Sequence, residues 1–425
     1  MKLSRFGVAC ALLGLMMLGL FPARAQESQT PASIPTQLTP EMGTEILLAR
    51  NPTILRERQN VVISRAGVQQ ARLLPNPAFD LTSESYPLFE SNPGPFFQRN
   101  ELIARIGQPI ETAGKRRKRT QVAEQEVAVA QSLLQDTIRQ FKLELKTRYY
   151  RVVLAQAELE LAQGILKQFD EIIRLNQARY KQGEVSGLDL ARVEAEGLRF
   201  FNDVVAAELE LQNAKAAVLE LLGVSNLGTS FDVSEKLGFR PLATDWQSLE
   251  QQAMAGRTDL LARREVVERE NRQVWLEKAR AVPDITPFVG YKRNLTENTI
   301  TFGFDIGLPF FNRNQGRIAQ ASARTEQARQ EQYQTELSVR RDVFQAYQRV
   351  LAEERRIRAL QDTFLEKVRR ARDIAQASYR LGALDLIAFL DAERTYRETL
   401  RGYNRTLFDH HTAVFQLEAA VGKDF

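Results

Sequence analysis

The chain is poor in residues that staple, chelate or span. Its 425 residues include one cysteine and two histidines, the adjacent His410 and His411. A single thiol excludes a disulfide framework and a cysteine-based zinc module. Two neighbouring imidazoles leave little for a histidine-rich centre, so no metal ligands are assigned. Beyond residue 25, no apolar run approaches the roughly 20 residues that a membrane helix needs, which excludes a polytopic helical transporter. There is no Gly-rich phosphate loop, no cysteine nucleophile and no H-E-x-x-H. No catalytic constellation stands out, and neither an enzyme nor a cofactor is expected.

The apparent basicity is also thin. Lys2 and Arg5, then the apolar stretch Phe6 to Phe21, then Ala23-Arg24-Ala25, form the three-part layout of a secretory signal peptide. Cleavage after Ala25 removes Lys2, Arg5, Arg24 and the sole thiol, Cys10. The formal charge of +5 then falls to +2, with 55 bases against 53 acids. Such a chain offers nucleic acid no general basic field, and none is expected as a partner. Residues 26–40 are polar and carry prolines, and read as an extended lead-in.

What the sequence does have is repetition. Tyr180-Lys181-Gln182-Gly183 recurs as Tyr379-Arg380-Leu381-Gly382, and Leu188-Asp189-Leu190 as Leu384-Asp385-Leu386. Gly107-Gln108-Pro109 recurs as Gly307-Leu308-Pro309. The offsets stay near 200 residues, which indicates a duplicated unit. The first unit spans 41–222, a connecting segment 223–246, and the second unit 247–422. Each unit reads as a helix of about 35 residues, a β patch, a helix of about 65–70, a glycine turn and a helix of about 35. Val127, Ala130, Leu134, Ile138, Phe141, Leu145, Tyr149 and Val152 fall three or four apart, the coiled-coil period. A second stripe through Leu133, Leu143, Tyr150 and Val153 implies neighbours on both sides. A helix of about 67 residues spans roughly 100 Å, which two shorter helices end to end would match. A plain coiled-coil rod fits the same periodicity.

The β patches carry more information. Ile300, Phe302, Phe304, Ile306 and Leu308 share one face, and Thr301, Gly303, Asp305 and Gly307 the other. Leu102, Ala104 and Ile106 alternate in the same way with Glu101, Ile103 and Arg105. Two hairpins are predicted, 76–88 with 98–111 and 284–293 with 298–310, joined by loops at 87–98 and 294–297. The second-unit strand has the length of a membrane β-strand, about 9–11 residues. Four strands cannot close a barrel, since the smallest have about eight and an open edge in lipid is strongly disfavoured. Two copies would supply eight strands and three copies twelve. The water-soluble alternative is an α+β protein with a small sheet.

Several segments together resemble the TolC family of outer-membrane efflux ducts. They are Asn51-Pro52, Leu73-Leu74-Pro75-Asn76-Pro77, the linker Gly107 to Arg116 and its counterpart Gly307 to Gly316. The resemblance covers about residues 38–422, and the two linkers look most like the heavy-metal branch of CzcC and CusC type. It implies a mainly α fold with membrane β: a homotrimer with a twelve-stranded barrel in outer-membrane lipid and an α-helical tube across the periplasm. It further implies a periplasmic adaptor and an inner-membrane RND-type pump as partners, with the duct itself passive. A periplasmic coiled-coil adaptor or a structural coiled coil is the alternative. An adaptor would need a single hairpin, whereas this chain has two.

The same resemblance places the periplasmic gate at the turns containing Gly183 and Gly382. Asp189 and Asp385 are then candidates for a cation-attracting ring, with ordinary helix-start acids as the other reading. Tyr180 with Lys181, and Tyr379 with Arg380, are candidate latches or simple coil packing. Alternation makes Arg105 and Asp305 the best pore-side charges in the barrel. The basic run Lys115 to Arg119 would face either the anionic leaflet or solvent. His410 and His411 are expected on the surface of the last helix.

Overall fold

The computed structural model describes residues 34–86, 89, 91, 95, 100–294 and 297–425. The predicted signal peptide, residues 26–33, most of the 87–98 loop and the centre of the 294–297 loop lie outside them.

The first unit opens with two helices, α1 (Pro40–Arg50) and α2 (Pro52–Arg72), where one was expected. The reason is local. Pro52 cannot continue α1, and Asn51 turns extended to cap α2. Its side-chain oxygen accepts from the Thr53 and Ile54 amides at 3.0 and 3.1 Å, and its amide group donates to Leu221 O at 2.8 Å. Then come β2 (Ala78–Glu84), β3 (Glu101–Gly107), the 67-residue α3 (Lys115–Lys181) and α4 (Gly187–Leu221). The second unit repeats the plan with α5 (Trp246–Gly256), α6 (Thr258–Arg280), β5 (Ile285–Asn294) and β6 (Glu297–Ile306). Its long helix is α7 (Gln315–Ala359), a π-helical turn (Leu360–Phe364) and α8 (Leu365–Arg380), followed by α9 (Leu386–Val421). The π turn has no counterpart in α3 and left no mark in the hydrophobic period.

Near mid-height, β1 (Gln37–Leu38) pairs in parallel with β4 (Asp232–Val233). Leu38 is fully buried, and the Tyr149 hydroxyl donates to its carbonyl at 3.0 Å. The end of the supposed extended lead-in is therefore fixed, and helix begins at Pro40.

The four long strands form one antiparallel sheet in the order β2-β3-β5-β6. They end at Gly107 and Ile306, short of the expected 111 and 310, because Pro109 and Pro309 lack the amide that a ladder requires. Helices pack in two rows. Nearer the sheet the order is α2-α3-α6-α7, and farther from it α4-α3-α9-α8. The long seam of α3 holds both rows: Leu145, Tyr149, Val152, Ala155, Ala162 and Phe169 are all buried. Leu133, from the second stripe, stays half exposed.

Candidate functional site

The end of the coil farthest from the sheet is built twice in the same way. Gly183 and Gly382 adopt φ of 78° and 75°, a region that favours glycine. Each closes a Schellman turn. The Glu184 amide donates to Arg179 O at 2.9 Å, and the Ala383 amide to Ser378 O at 2.9 Å. Three residues after each glycine comes an N-cap. Ser186 accepts from the Asp189 amide at 3.1 Å, and Asp385 accepts from the Ala388 amide at 2.7 Å. Asp189 and Asp385 are therefore not equivalent, although their flanking letters match. Asp385 is the cap itself, whereas Asp189 sits one turn inside α4, where its carboxylate accepts from the Ser186 hydroxyl at 2.7 Å.

The two tyrosines also differ. Tyr180 is half exposed and lies across Gly187, where an added Cβ would stand 3.6 Å from its ring. Tyr379 is buried. Its hydroxyl donates to Asn176 Oδ1 at 2.7 Å, and its ring stacks on Phe389 at 5.0 Å. Burial pushes the Tyr379 phenol above its ordinary range. Arg380 pairs with Glu171 at 2.7 Å, and Arg179 donates to the Arg380 carbonyl at 2.7 Å. So α8 is tied to α3, helix to helix across the two units. Sequence reading located Tyr379 and Arg380 but missed Asn176, Glu171 and Arg179. These lie about 200 residues away with no local motif to mark them.

At the opposite end, the sheet has one polar and one apolar face. Arg105 lies 3.4 Å from Asp80 and 3.9 Å from Asp305, with its guanidinium 5.3 Å from the Phe288 ring centre. Phe288 in turn covers Gly303, where a Cβ would come within 2.8 Å of the ring. Lys292 and Glu101 pair on the same face at 2.8 Å. The other face presents Phe79, Leu81, Val289, Ile300, Phe302 and Phe304, all exposed, with Phe302 at 86%. Alternation had put Arg105 and Asp305 on a common face, and the structure brings them together.

One surface expectation is narrowed and one is corrected. The basic run is mostly occupied inside the chain. Lys115 is buried against Asp284 at 2.7 Å, Arg116 donates to Arg72 O at 2.8 Å, and Arg119 donates to Ala71 O at 3.1 Å and pairs with Glu111. These guanidinium groups satisfy the free carbonyls at the end of α2, which has no glycine cap. Arg116 and Arg117 remain exposed, but His410 is not on the surface. It is 1% exposed and meets Phe239 edge-on, because the connecting segment folds over α9. His411 sits against Tyr150 and Phe415, and burial together with His410 pushes its imidazole down to about 4. Among the described residues, no group of three His, Cys, Asp or Glu side chains could hold a metal ion.

Comparison with known proteins fits this architecture. Residues 44–224 and 249–423 match the outer membrane efflux protein family. Among curated relatives, the cobalt-zinc-cadmium resistance protein CzcC of Cupriavidus metallidurans is 24% identical over 424 residues, 98% of this chain and 96% of the relative. The nickel-cobalt-cadmium resistance protein NccC of Alcaligenes xylosoxydans xylosoxydans is 27% identical over 293 residues, covering 67% of this chain and 65% of the relative. The solved transmembrane channel CusC superposes with a TM-score of 0.74 at 17% identity, covering 94% of this chain and 98% of that one. The outer membrane protein VceC of Vibrio cholerae gives 0.73 at 19% identity, covering 91% and 96%. With both units matched in order and nearly end to end, this chain belongs to the outer membrane efflux protein family.

Proposed function

We propose that three copies of this chain form the passive outer-membrane duct of a tripartite efflux system exporting divalent transition-metal cations. The observation that carries this reading is the four-stranded sheet. It has an exposed apolar face, a charged opposite face and two outer strands, β2 and β6, left for pairing. A sheet like this is a fragment of a barrel, because open edges in lipid leave backbone groups unsatisfied. Three copies supply twelve strands around a lumen. Arg105 and Asp305 then line the barrel interior, and the helices continue as a tube into the periplasm. The turns at Gly183 and Gly382 form its gate, where threefold rings of Asp189 and Asp385 attract cations. The Tyr379 and Arg380 contacts hold that gate closed.

A passive duct takes its energy from partners, here a periplasmic adaptor and an inner-membrane RND-type pump. The metal assignment is supported by the relatives named for cobalt, zinc, cadmium and nickel resistance. The test is deletion followed by a sensitivity panel. Loss of the chain should raise sensitivity to zinc, cobalt, cadmium or nickel and leave drug sensitivity unchanged, with rescue by the parent gene. The reverse pattern would overturn the metal assignment. A monomer in detergent-extracted outer membranes would overturn the duct.

A further inference from the structure

On the polar face of the sheet, bulky side chains are set opposite glycine. Phe288 has Gly107 as its cross-strand partner on β3 and Gly303 on β6, and Arg105 has Gly290 on β5. Glycine weakens a strand interior, and its use there marks a place where something must approach the backbone closely. Here that is the chain's own side chains. A Cβ at Gly303 would stand 2.8 Å from Cζ of Phe288, and one at Gly290 would stand 3.0 Å from Arg105 Cβ. The Phe288 ring therefore lies across Gly303, along the wall, in the space that a side chain would fill. Arg105 lies down too. Its two carboxylate partners are on the outer strands, Asp80 on β2 at 3.4 Å and Asp305 on β6 at 3.9 Å. β3 and β6 are two strand spacings apart, about 10 Å, so a guanidinium that meets both must stretch along the sheet. It runs over the Phe288 ring, 5.3 Å from its centre and within cation–π range.

We propose that the belt of Asp80, Arg105, Phe288 and Asp305 is a charge filter inside the barrel, and that Gly303 is its positioning residue. This rests on the trimeric duct, which closes three belts into one ring. Each copy contributes one guanidinium between two carboxylates, a net charge of −1. Rings of carboxylates favour cations in a pore. Laid flat and paired, Arg105 leaves the bore wide and its net charge negative. Standing free, three Arg105 side chains would narrow the bore and put positive charge in the path of a metal cation.

Gly303 acts through the ring. A methyl group at that position would lift Phe288 from the wall, because the clash is with the far end of its side chain. The lifted ring would carry the guanidinium above it away from Asp305. An aromatic side chain over a strand glycine also has a plain structural use, covering exposed backbone. The two roles differ in what they move: stability in one case, bore and charge selectivity in the other.

Planar-bilayer recording of the full-length protein from outer membranes tests the belt. Asp80→Asn with Asp305→Asn leaves Arg105 without a counter-charge. The potassium-over-chloride permeability ratio, read from the reversal potential in a salt gradient, should then fall several-fold. Arg105→Gln should raise it. Gly303→Ala should lower the same ratio and reduce the largest neutral polyethylene glycol that enters from the sheet side. Phe288→Ala added to Gly303→Ala should restore both readings. A lower melting temperature in Gly303→Ala, with ratio and polymer cut-off as in the parent, would leave the ring a structural cover and overturn its positioning role. Parent-like selectivity in Asp80→Asn with Asp305→Asn channels would overturn the filter and leave the duct standing. Those side chains are largely exposed, so the charge variants decide the matter even where Gly303→Ala does not assemble. A parent chain that forms no trimers or channels would overturn both the duct and the filter.

Discussion

Removing one hydroxyl, Tyr379→Phe, tests whether the tip is held shut by contacts between the two units. The Tyr379 hydroxyl donates to Asn176 Oδ1 at 2.7 Å, and the Asn176 amide group donates to Ile172 O at 2.8 Å. Both side chains are buried. Phenylalanine keeps the ring and its stack on Phe389, so the change isolates one hydrogen bond. Deleting it costs about 1 kcal/mol, or more because the buried Asn176 oxygen is left without a donor. In a trimer the loss occurs three times. If all three copies open together, about 3 kcal/mol shifts the open-to-closed ratio by roughly two orders of magnitude. Planar-bilayer recording should show a much higher open probability at unchanged open-state conductance. By contrast, Arg380→Ala removes a pair whose partners are both largely solvent-exposed, worth less than about 1 kcal/mol per copy. The hydroxyl should therefore outrank the ion pair. Asn176→Leu combined with Tyr379→Phe should cost less than the sum of the two single changes, since they share one bond. An open probability equal to that of the parent in Tyr379→Phe would refute the latch and leave the tyrosine a packing residue.

Three further changes probe the frame around the tip and sheet. Burial alone would raise the Asp284 carboxyl, yet Lys115 Nζ at 2.7 Å and the Thr112 amide at 2.8 Å hold it below its ordinary range. That stabilisation is complete at neutral pH and fades as pH falls through the lowered value. Asp284→Asn should cost about 1–3 kcal/mol at neutral pH and progressively less in acid; melting curves with the same gap at both pH values would count against this. His411, pushed down to about 4 from 6.5, should make the parent lose about 3 kcal/mol as pH drops through that window. Denaturation of His411→Phe should show a flatter acid limb, and parallel limbs would remove His411 as the cause. Gly382 has φ 75° with open space around its Cβ position, so Gly382→Ala should lose roughly 1 kcal/mol from the backbone alone. Gly382→Asn should lose less, because asparagine tolerates that region; equal melting losses would show that something other than φ is at work.

The strands and long helices were legible because their signals are local and periodic. Alternation from Ile300 to Leu308 needs no knowledge of the rest of the chain, and neither does the seam from Leu134 to Val152. The break at Asn51 was half-legible: Pro52 was visible, but the bond from Asn51 to Leu221 O joins ends 170 residues apart. The same break around Arg257 has no proline at all. It is held by Asp259 and Asp342, the latter 85 residues on. At the tip the glycines were legible because only a left-handed turn requires them. Pairing Asp189 with Asp385 was a misregistration of letters over roles, since serine and aspartate cap helices equally well. His410 was misplaced because its cover, Phe239, comes from the connecting segment, whose path no periodicity describes.

Composition misleads here for a physical reason. A mean hydropathy of -0.33 averages over surfaces that meet different solvents. In this chain many of the exposed apolar groups fall into two sets, with others elsewhere, such as Val62 and Ile63 on α2 and Tyr333 and Leu337 on α7. One set lies on the sheet and just beyond it, where Ile300 is 76% and Phe311 95% exposed. In water, a patch of this kind is an aggregation hazard; against hydrocarbon it is what a strand must present. The second set falls on α4 and α8 at coiled-coil spacing, with charged residues between. Hydrocarbon would penalise those charges, so this set suits another helix rather than lipid. The period of each set fits a different neighbour: two suits a strand against lipid, three and a half a helix against a helix. Neither period survives in a chain-wide average, which is why the surface proposed to face the membrane is readable by position and not by amount.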